Sequence, residues 1–306
     1  MTLALFWWLL ENNVSRETMK RNKDLFLLRG KDYLTNKGNF DVYWDKKTEC
    51  AWTDIDLKQS MEKYYASSAY DSHKGHKKTI LDWLYFIVQQ FMFRYKWKKI
   101  SSKTQSPLQS HLDFGGGAGG FSSFTKSKGI NSVLIDNSKT ALIAARAQGI
   151  QAYESLDELP KKERFDLITL WHVLEHLPSP DQTLIALRQH LNKNGLLVVA
   201  VPNLHAPDAK YYGPHWAGFD LPRHLWHFST PGLTRLLSDA GFCILAQHPL
   251  FFDAFYVSLL SEKHKRGKVH FFSAFYQGLR SNFLARTKSN YSSSFFVFGK
   301  SDSPFV

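Results

Sequence analysis

The sequence predicts an α/β protein with a doubly wound, mostly parallel seven-stranded sheet whose last strand runs antiparallel. Three observations predict it. Strand and helix signals alternate across residues 111–201, the pattern of a parallel sheet covered by helices. Within that region HLDFGGGAGGFSSF, His111 to Phe124, turns from a short apolar strand into a helix through five glycines in six positions. Two late apolar stretches, CILAQHPLFF and SSSFFVFGK, then add a pair of strands separated by about forty basic and aromatic residues.

Each element has its own signal. HLDF is the first strand, and a helix from Phe121 to Lys128 is closed by Gly129. SVLID is the second strand; the helix after it runs from Ser138 to Gln148, with Gly149 as its stop. Residues 149–153 form a short third strand and FDLITLW a fourth. Ser179 then caps a helix, with Pro180 in the first turn and Gln182 completing a capping box. Leu184, Ile185, Leu187 and Leu191 give this helix a buried stripe, and Gly195 ends it. LLVVAV is a fully apolar fifth strand stopped by Pro202, and Thr230-Pro231 opens another helix that Gly241 terminates.

This core spans residues 111–306, with an insertion at about 251–292. Residues 61–110 precede it as a helical lead-in or lid, and residues 1–60 as a divergent cap. The opening MTLALFWWLLENN lacks a basic n-region and a cleavage site, so it does not read as a signal peptide. Its apolar run is shorter than the roughly 20 residues needed to cross a bilayer. In residues 80–99, Ile80, Leu84, Ile87, Val88 and Phe91 share one helical face, with more aromatic bulk elsewhere and RYKWKK behind. Such a helix packs on the body or a second subunit, or lies against a membrane surface.

With 306 residues, 43% of them hydrophobic, the chain can bury one large domain and is not a disordered or low-complexity protein. Cys50 and Cys243 are too few for a disulfide framework or a Cys-based zinc site, which points to a reducing cytoplasm. The net charge of +12 sits in the flanks. Residues 1–110 carry 19 Lys/Arg against 12 Asp/Glu and residues 246–306 carry 8 against 3, whereas residues 111–245 balance at 12 each. Basic flanks suit nucleic acid, an anionic membrane, an acidic substrate or plain solvation.

The glycine-rich turn is a ligand site in kind, because bare backbone permits close approach. Gly115, Gly117 and Gly120 fit a dinucleotide spacing, with Asp136 about 20 residues on as the ribose partner. Asp113, two residues ahead of the first glycine, would repel a pyrophosphate and instead suits a ligand with a cationic end. On these residues the chain resembles the class I S-adenosylmethionine (SAM)-dependent methyltransferases, which are Rossmann-like. Their first motif is matched by Leu112, Asp113, Gly115, Gly117 and Gly119, and VLIDNS is similar to their second. FDLITLWHVLEHLPSPDQTL, NKNGLLVVAVPN and FDLPRHLWHFSTPGLTRLLSDAGF resemble the subgroup that includes the ubiquinone-biosynthesis O-methyltransferases.

The resemblance implies SAM as cofactor, held by Asp113, Gly115, Gly117, Gly119, Asp136, Trp171 and His172, with Asp136 on the ribose. It implies O-methylation of a small molecule or a glycan or lipid precursor. An RNA or protein methyltransferase using the basic flanks, an NAD-type binding protein and an inactive SAM-binding module are the alternatives. The absence of an N-P-P-Y motif after the fourth strand argues against methylation of base amino groups. Candidate chemistry lies on two loops: Trp171, His172, Glu175 and His176 after the fourth strand, and His215, Trp216, Asp220, Arg223, His224 and His227 after the fifth. His172 stacks on the cofactor or faces the acceptor, and Glu175 bonds loop amides. Arg223 and His224 orient an acidic acceptor and remove its proton, unless Arg223 simply pairs with Asp220. Relatives often carry a zinc ribbon, but only Cys50 stands near its position, so no metal is expected; His172, Glu175 and His176 do share helical spacing. KYYASSAYDSH resembles the segment that covers the methionine end of the cofactor, through Tyr64, Tyr65 and Tyr70.

Overall fold

The computed structural model describes residues 23–57, 62–65, 80–104 and 106–301; the apolar opening stretch and Tyr70 lie outside the described residues. The chain begins with an antiparallel meander of β1 (Leu25–Lys31), β2 (Asn39–Asp45) and β3 (Cys50–Thr53). A helical turn, α1 (Glu62–Tyr65), and the long helix α2 (Ile80–Ser101) follow. The main sheet is then laid down by β4 (Ser110–Phe114), α3 (Gly120–Lys126), β5 (Asn131–Ile135), α4 (Lys139–Ala147) and β6 (Gln151–Tyr153). It continues through β7 (Phe165–Trp171), α5 (Pro180–Gln189) and β8 (Leu191–Pro202). After these come α6 (Pro207–Tyr212), β9 (Trp226–Phe228), α7 (Thr230–Asp239) and β10 (Phe242–Pro249). A helical hairpin, α8 (Asp253–Arg266) and α9 (Phe271–Ala285), then leads into β11 (Ser293–Lys300).

The main sheet has the order β10-β11-β8-β7-β4-β5-β6, and β11 alone runs antiparallel to its neighbours. It is the mostly parallel seven-stranded sheet the alternating signals predict. The chain leaves β4 toward β5 on one side, and later returns through β7 on the other. The crevice at the carboxyl ends of β4 and β7 is therefore the topological switch point, where open α/β sheets bind ligands.

The unbroken apolar runs of β7 and β8 are explained by cover on both faces. One face packs Leu112, Ile168, Leu170, Leu197 and Val199 against Leu184, Leu187 and Leu233. The other packs Leu167, Val198, Ala200 and Phe295 against Phe121 and against Phe93 and Ile100 of α2. Helix α2 packs its carboxyl half on the sheet, whereas Trp83, Phe86, Ile87 and Phe91 stay exposed.

Two local expectations are corrected. Helix α5 stops at Gln189, and Gly195 lies inside β8, where a Cβ would meet Leu191 at 2.8 Å and the Phe165 carbonyl at 3.0 Å. Close strand packing, rather than helix termination, keeps that position bare. Ser179 precedes α5 without a side-chain cap, and Pro180 starts the helix. At α7 the cap is Ser229, whose Oγ accepts from the Gly232 N–H at 3.0 Å. The amino-terminal meander is not a separate module: β9, from the loop after β8, pairs with β3 as a fourth strand. Cys50 sits buried there, and burial pushes its thiol up to about 12.

Candidate active site at the switch point

The turn after β4 is pressed from beneath and open above. Gly115, Gly117 and Gly119 take φ of +71°, +57° and +80°, the left-handed region that glycine adopts without penalty. A Cβ on Gly115 would strike Val173 at 2.5 Å, and one on Gly116 would strike Leu134 at 2.7 Å. At Gly117 nothing lies within 4 Å. Side chains are stripped from the first two positions so that the loop can settle on the core, and from Gly117 where backbone faces open space.

Asp136, at the end of β5, joins this loop. Its buried carboxylate accepts from the Gly117 N–H at 2.9 Å and from the Ser138 N–H at 2.8 Å. The fold thus brings Gly117 and Asp136 together, as their spacing predicts. Asp113 differs from expectation. It is 1% exposed, and its two oxygens accept from Thr169 Oγ1 at 2.7 Å and Ser122 Oγ at 2.8 Å. It ties β4 to β7 and α3 beneath the loop, so its charge reaches the crevice through the loop rather than through a free oxygen. His111 continues the chain by bonding Thr169 at 2.8 Å, and burial lowers its pKa to about 4.

His172 follows β7 with φ of +54°, a conformation that side-chain-bearing residues rarely take and that clusters at functional sites. Its Nδ1 lies 3.4 Å from Glu175 and its Nε2 lies 3.2 Å from Asp253. Burial alone would lower the ring's pKa, but the hydrogen bonds and charges of these two carboxylates raise it to about 9. Glu175 is 1% exposed, and His172 is the only cation within ion-pair distance of its carboxylate among the described residues.

The Trp171 ring is held edge-on by Phe121 and Phe295, at centroid distances of 5.1 and 5.7 Å. The Lys96 ammonium lies 3.7 Å from its centroid. Burial lowers Lys96 to about 8, against the upward pull of Asp253 and Asp113. Asp253 and Lys96 are residues that sequence reasoning missed. The first hides at the start of the insertion, and the second reads as one of several cations in RYKWKK.

The loop after β8 serves mostly as mortar. Arg223, expected to orient an acceptor, is 1% exposed and spends its donors on Asp220, on Asp32 at 3.1 Å and on the Tyr64 and Leu221 carbonyls. It is a brace between core and meander. His215 bonds Tyr33 at 2.6 Å, His227 bonds Thr53 at 3.0 Å, and Trp216 donates to Asp208 at 2.9 Å. The density of His and Trp there follows from pinning the meander to the core. His224 is buried and donates Nδ1–H to the Gly218 carbonyl at 2.8 Å, while His176 donates Nδ1–H to the Arg223 carbonyl at 3.0 Å. The two rings meet edge-on at 4.5 Å.

Glu175, His176 and His224 each offer a ligand atom within 4.8 Å of the others, the one such group among the described residues. Sequence spacing suggests His172 with Glu175 and His176; the fold turns His172 toward Asp253 and supplies His224 instead. At the opposite end of the sheet, Arg164, Arg188, Lys193 and Lys300 line a basic hollow. Arg164, Arg188 and Lys300 there donate to backbone carbonyls.

Comparison with known proteins bears on the family and the fold. Over 99 residues the chain is 27% identical to the ubiquinone biosynthesis O-methyltransferase of Rickettsia canadensis, and 28% identical to that of Rickettsia prowazekii. Each match covers 30% of this chain, and 42% and 39% of the respective relatives. The magnesium protoporphyrin IX methyltransferase of Synechocystis PCC 6803, solved with bound SAH, shares the fold with a TM-score of 0.51 at 12% identity. That likeness covers 78% of this chain and 97% of the other. A family model for a methyltransferase domain matches residues 88–247, just over half of the chain, running from within α2 through the glycine loop and His172 to β10. The chain belongs to this methyltransferase-domain family.

Proposed function

We propose that the chain transfers the methyl group of SAM to an oxygen of a small-molecule, glycan-precursor or lipid-precursor acceptor. The observation that carries this reading is an open glycine loop sharing the switch point with a histidine set between two carboxylates. The residues fit the cofactor. Gly117 leaves room against the backbone, Asp136 offers a carboxylate to hydroxyl groups, and Asp113 puts negative charge below a loop that a pyrophosphate would avoid. The Lys96 ammonium suits a carboxylate at the same crevice. When bound, SAM supplies a methyl carbon activated by the adjoining sulfonium.

The protein's part is orientation, exclusion of water and movement of one proton. Neutral His172 would take the acceptor hydroxyl's proton at Nε2, the hydroxyl displacing Asp253 from that nitrogen. Glu175 orients Nδ1–H, and Asp253 stabilises the imidazolium that results. A pKa raised to about 9 brings this base close to a phenol-like hydroxyl at about 10. His224 and His176 stand beside Glu175, with ligand atoms within 4.8 Å of one another.

The test is the pH profile of kcat/KM. It should rise about tenfold per pH unit and level near 9, and His172→Asn should cut turnover by about 100-fold or more while calorimetric SAM binding is kept. Full turnover in that variant removes His172 from the chemistry. Chelation should leave turnover unchanged; a loss restored by a divalent ion would assign that ion to Glu175, His176 and His224.

A further inference from the structure

The helical hairpin between β10 and β11 is built inside out. The buried residues of α8 are Ala254, Ser258, Ser261 and Glu262; those of α9 are Ala274, Gln277, Gly278, Ser281 and Ala285. Small and polar groups thus make the inner face. Gly278 lets the helices close, since a Cβ there would meet Phe255 at 2.7 Å. Ser273 Oγ donates to Glu262 at 2.7 Å, and Ser281 Oγ to Asp208 at 2.7 Å. Phe255 packs inside, but most of the aromatic residues face out. Phe272 is 95% exposed, with Phe271, Phe275, Tyr276, Phe283 and Tyr256 also exposed. Small residues between helices and large apolar ones outside is the arrangement helices adopt against lipid, and so large an exposed apolar patch marks a binding face.

Charge identifies the partner. Glu262 is the sole acidic residue between 254 and 301, and it is buried. Lys263, Lys265, Lys268, Arg280, Arg286 and Lys288 are exposed along the hairpin and just beyond it. Helix α2 extends the surface: Phe91 meets Phe252 edge-on at 6.1 Å, and Phe86 and Trp83 are exposed beyond it. No helix among the described residues is long and apolar enough to cross a membrane, and α9 spans only about 22 Å. We propose that the outer face of α8 and α9, continued by Phe86 and Phe91, docks on the surface of an anionic lipid bilayer. The rings enter the acyl boundary and the cations meet the headgroups. A second copy fits poorly, because two such faces would set cations against cations with no acid between them. The hairpin starts at Asp253, the partner of His172, so the docked face borders the candidate site. The inference stands on surface chemistry and does not rest on methyl transfer.

Flotation of the full chain with vesicles tests it. The chain should float with phosphatidylcholine containing phosphatidylglycerol, and about tenfold less with phosphatidylcholine alone or at high salt. Phe271→Glu with Phe272→Glu should lower flotation about tenfold or more while leaving the thermal midpoint unchanged, as both positions are exposed. Lys265→Gln with Lys268→Gln should independently lower binding to the anionic vesicles about tenfold. Absence of flotation with the anionic vesicles overturns the proposal, as does flotation that neither variant alters. Sedimentation that shows a dimer lost in the phenylalanine variant, without vesicle binding, gives the face to a second copy instead.

Discussion

Arg223 and His172 show how one residue type can be spent on structure or kept for chemistry. The Arg223 guanidinium is buried between Asp32 and Asp220, with every direction of its fork occupied. Removing it strands two carboxylates in a site built for three charges. Arg223→Met should therefore cost about 3–5 kcal/mol in denaturant unfolding, and a neutral result would show that water rescues the acids. His172 predicts a pH dependence of stability. Its folded pKa, about 9, lies above the unfolded value near 6.5. Its stabilising contribution is therefore complete below the unfolded value and is lost as pH rises through about 9. His172→Asn should lack that alkaline decline, measured as the difference between the two unfolding curves.

Among elements, those with a strong period were legible and those decided by distant contacts were not. β4, β5, β7 and the sheet's late pair announce themselves by apolar runs between glycine or proline stops. Gly195 misled because a glycine after a helix reads as its stop, whereas here a neighbouring strand and Leu191 crowd the site. The Asp220 partner of Arg223 was legible, but its second carboxylate, Asp32, was not, because it comes from the turn after β1, far away in sequence. Asp253 was invisible for the same reason: nothing local marks the first residue of α8 as a partner of His172. The cap of α7 makes a prediction at this scale. Ser229 Oγ accepts from the Gly232 N–H and donates to the Glu49 carbonyl at 2.6 Å, joining α7 to the turn before β3. Ser229→Ala should lower stability by about 1–2 kcal/mol, read as a shift of the denaturation midpoint; an unchanged midpoint would mean the junction is held by packing alone.

At the scale of the molecule, two parts meet at the crevice and a third is locked to the core. The sheet supplies the glycine loop and Asp136, β9 and Arg223 lock the meander onto the core, and the helical hairpin supplies Asp253. The site is thus completed by an element that lies outside the family match at residues 88–247. The central claim is that the bare loop at Gly117 receives SAM. Calorimetry of the full chain with SAM, SAH and NAD tests it most directly. Saturable binding of SAM and SAH, weakened about tenfold or more by Gly117→Val and by Asp136→Ala, is the predicted result. Binding of NAD with no heat from SAM or SAH would contradict it.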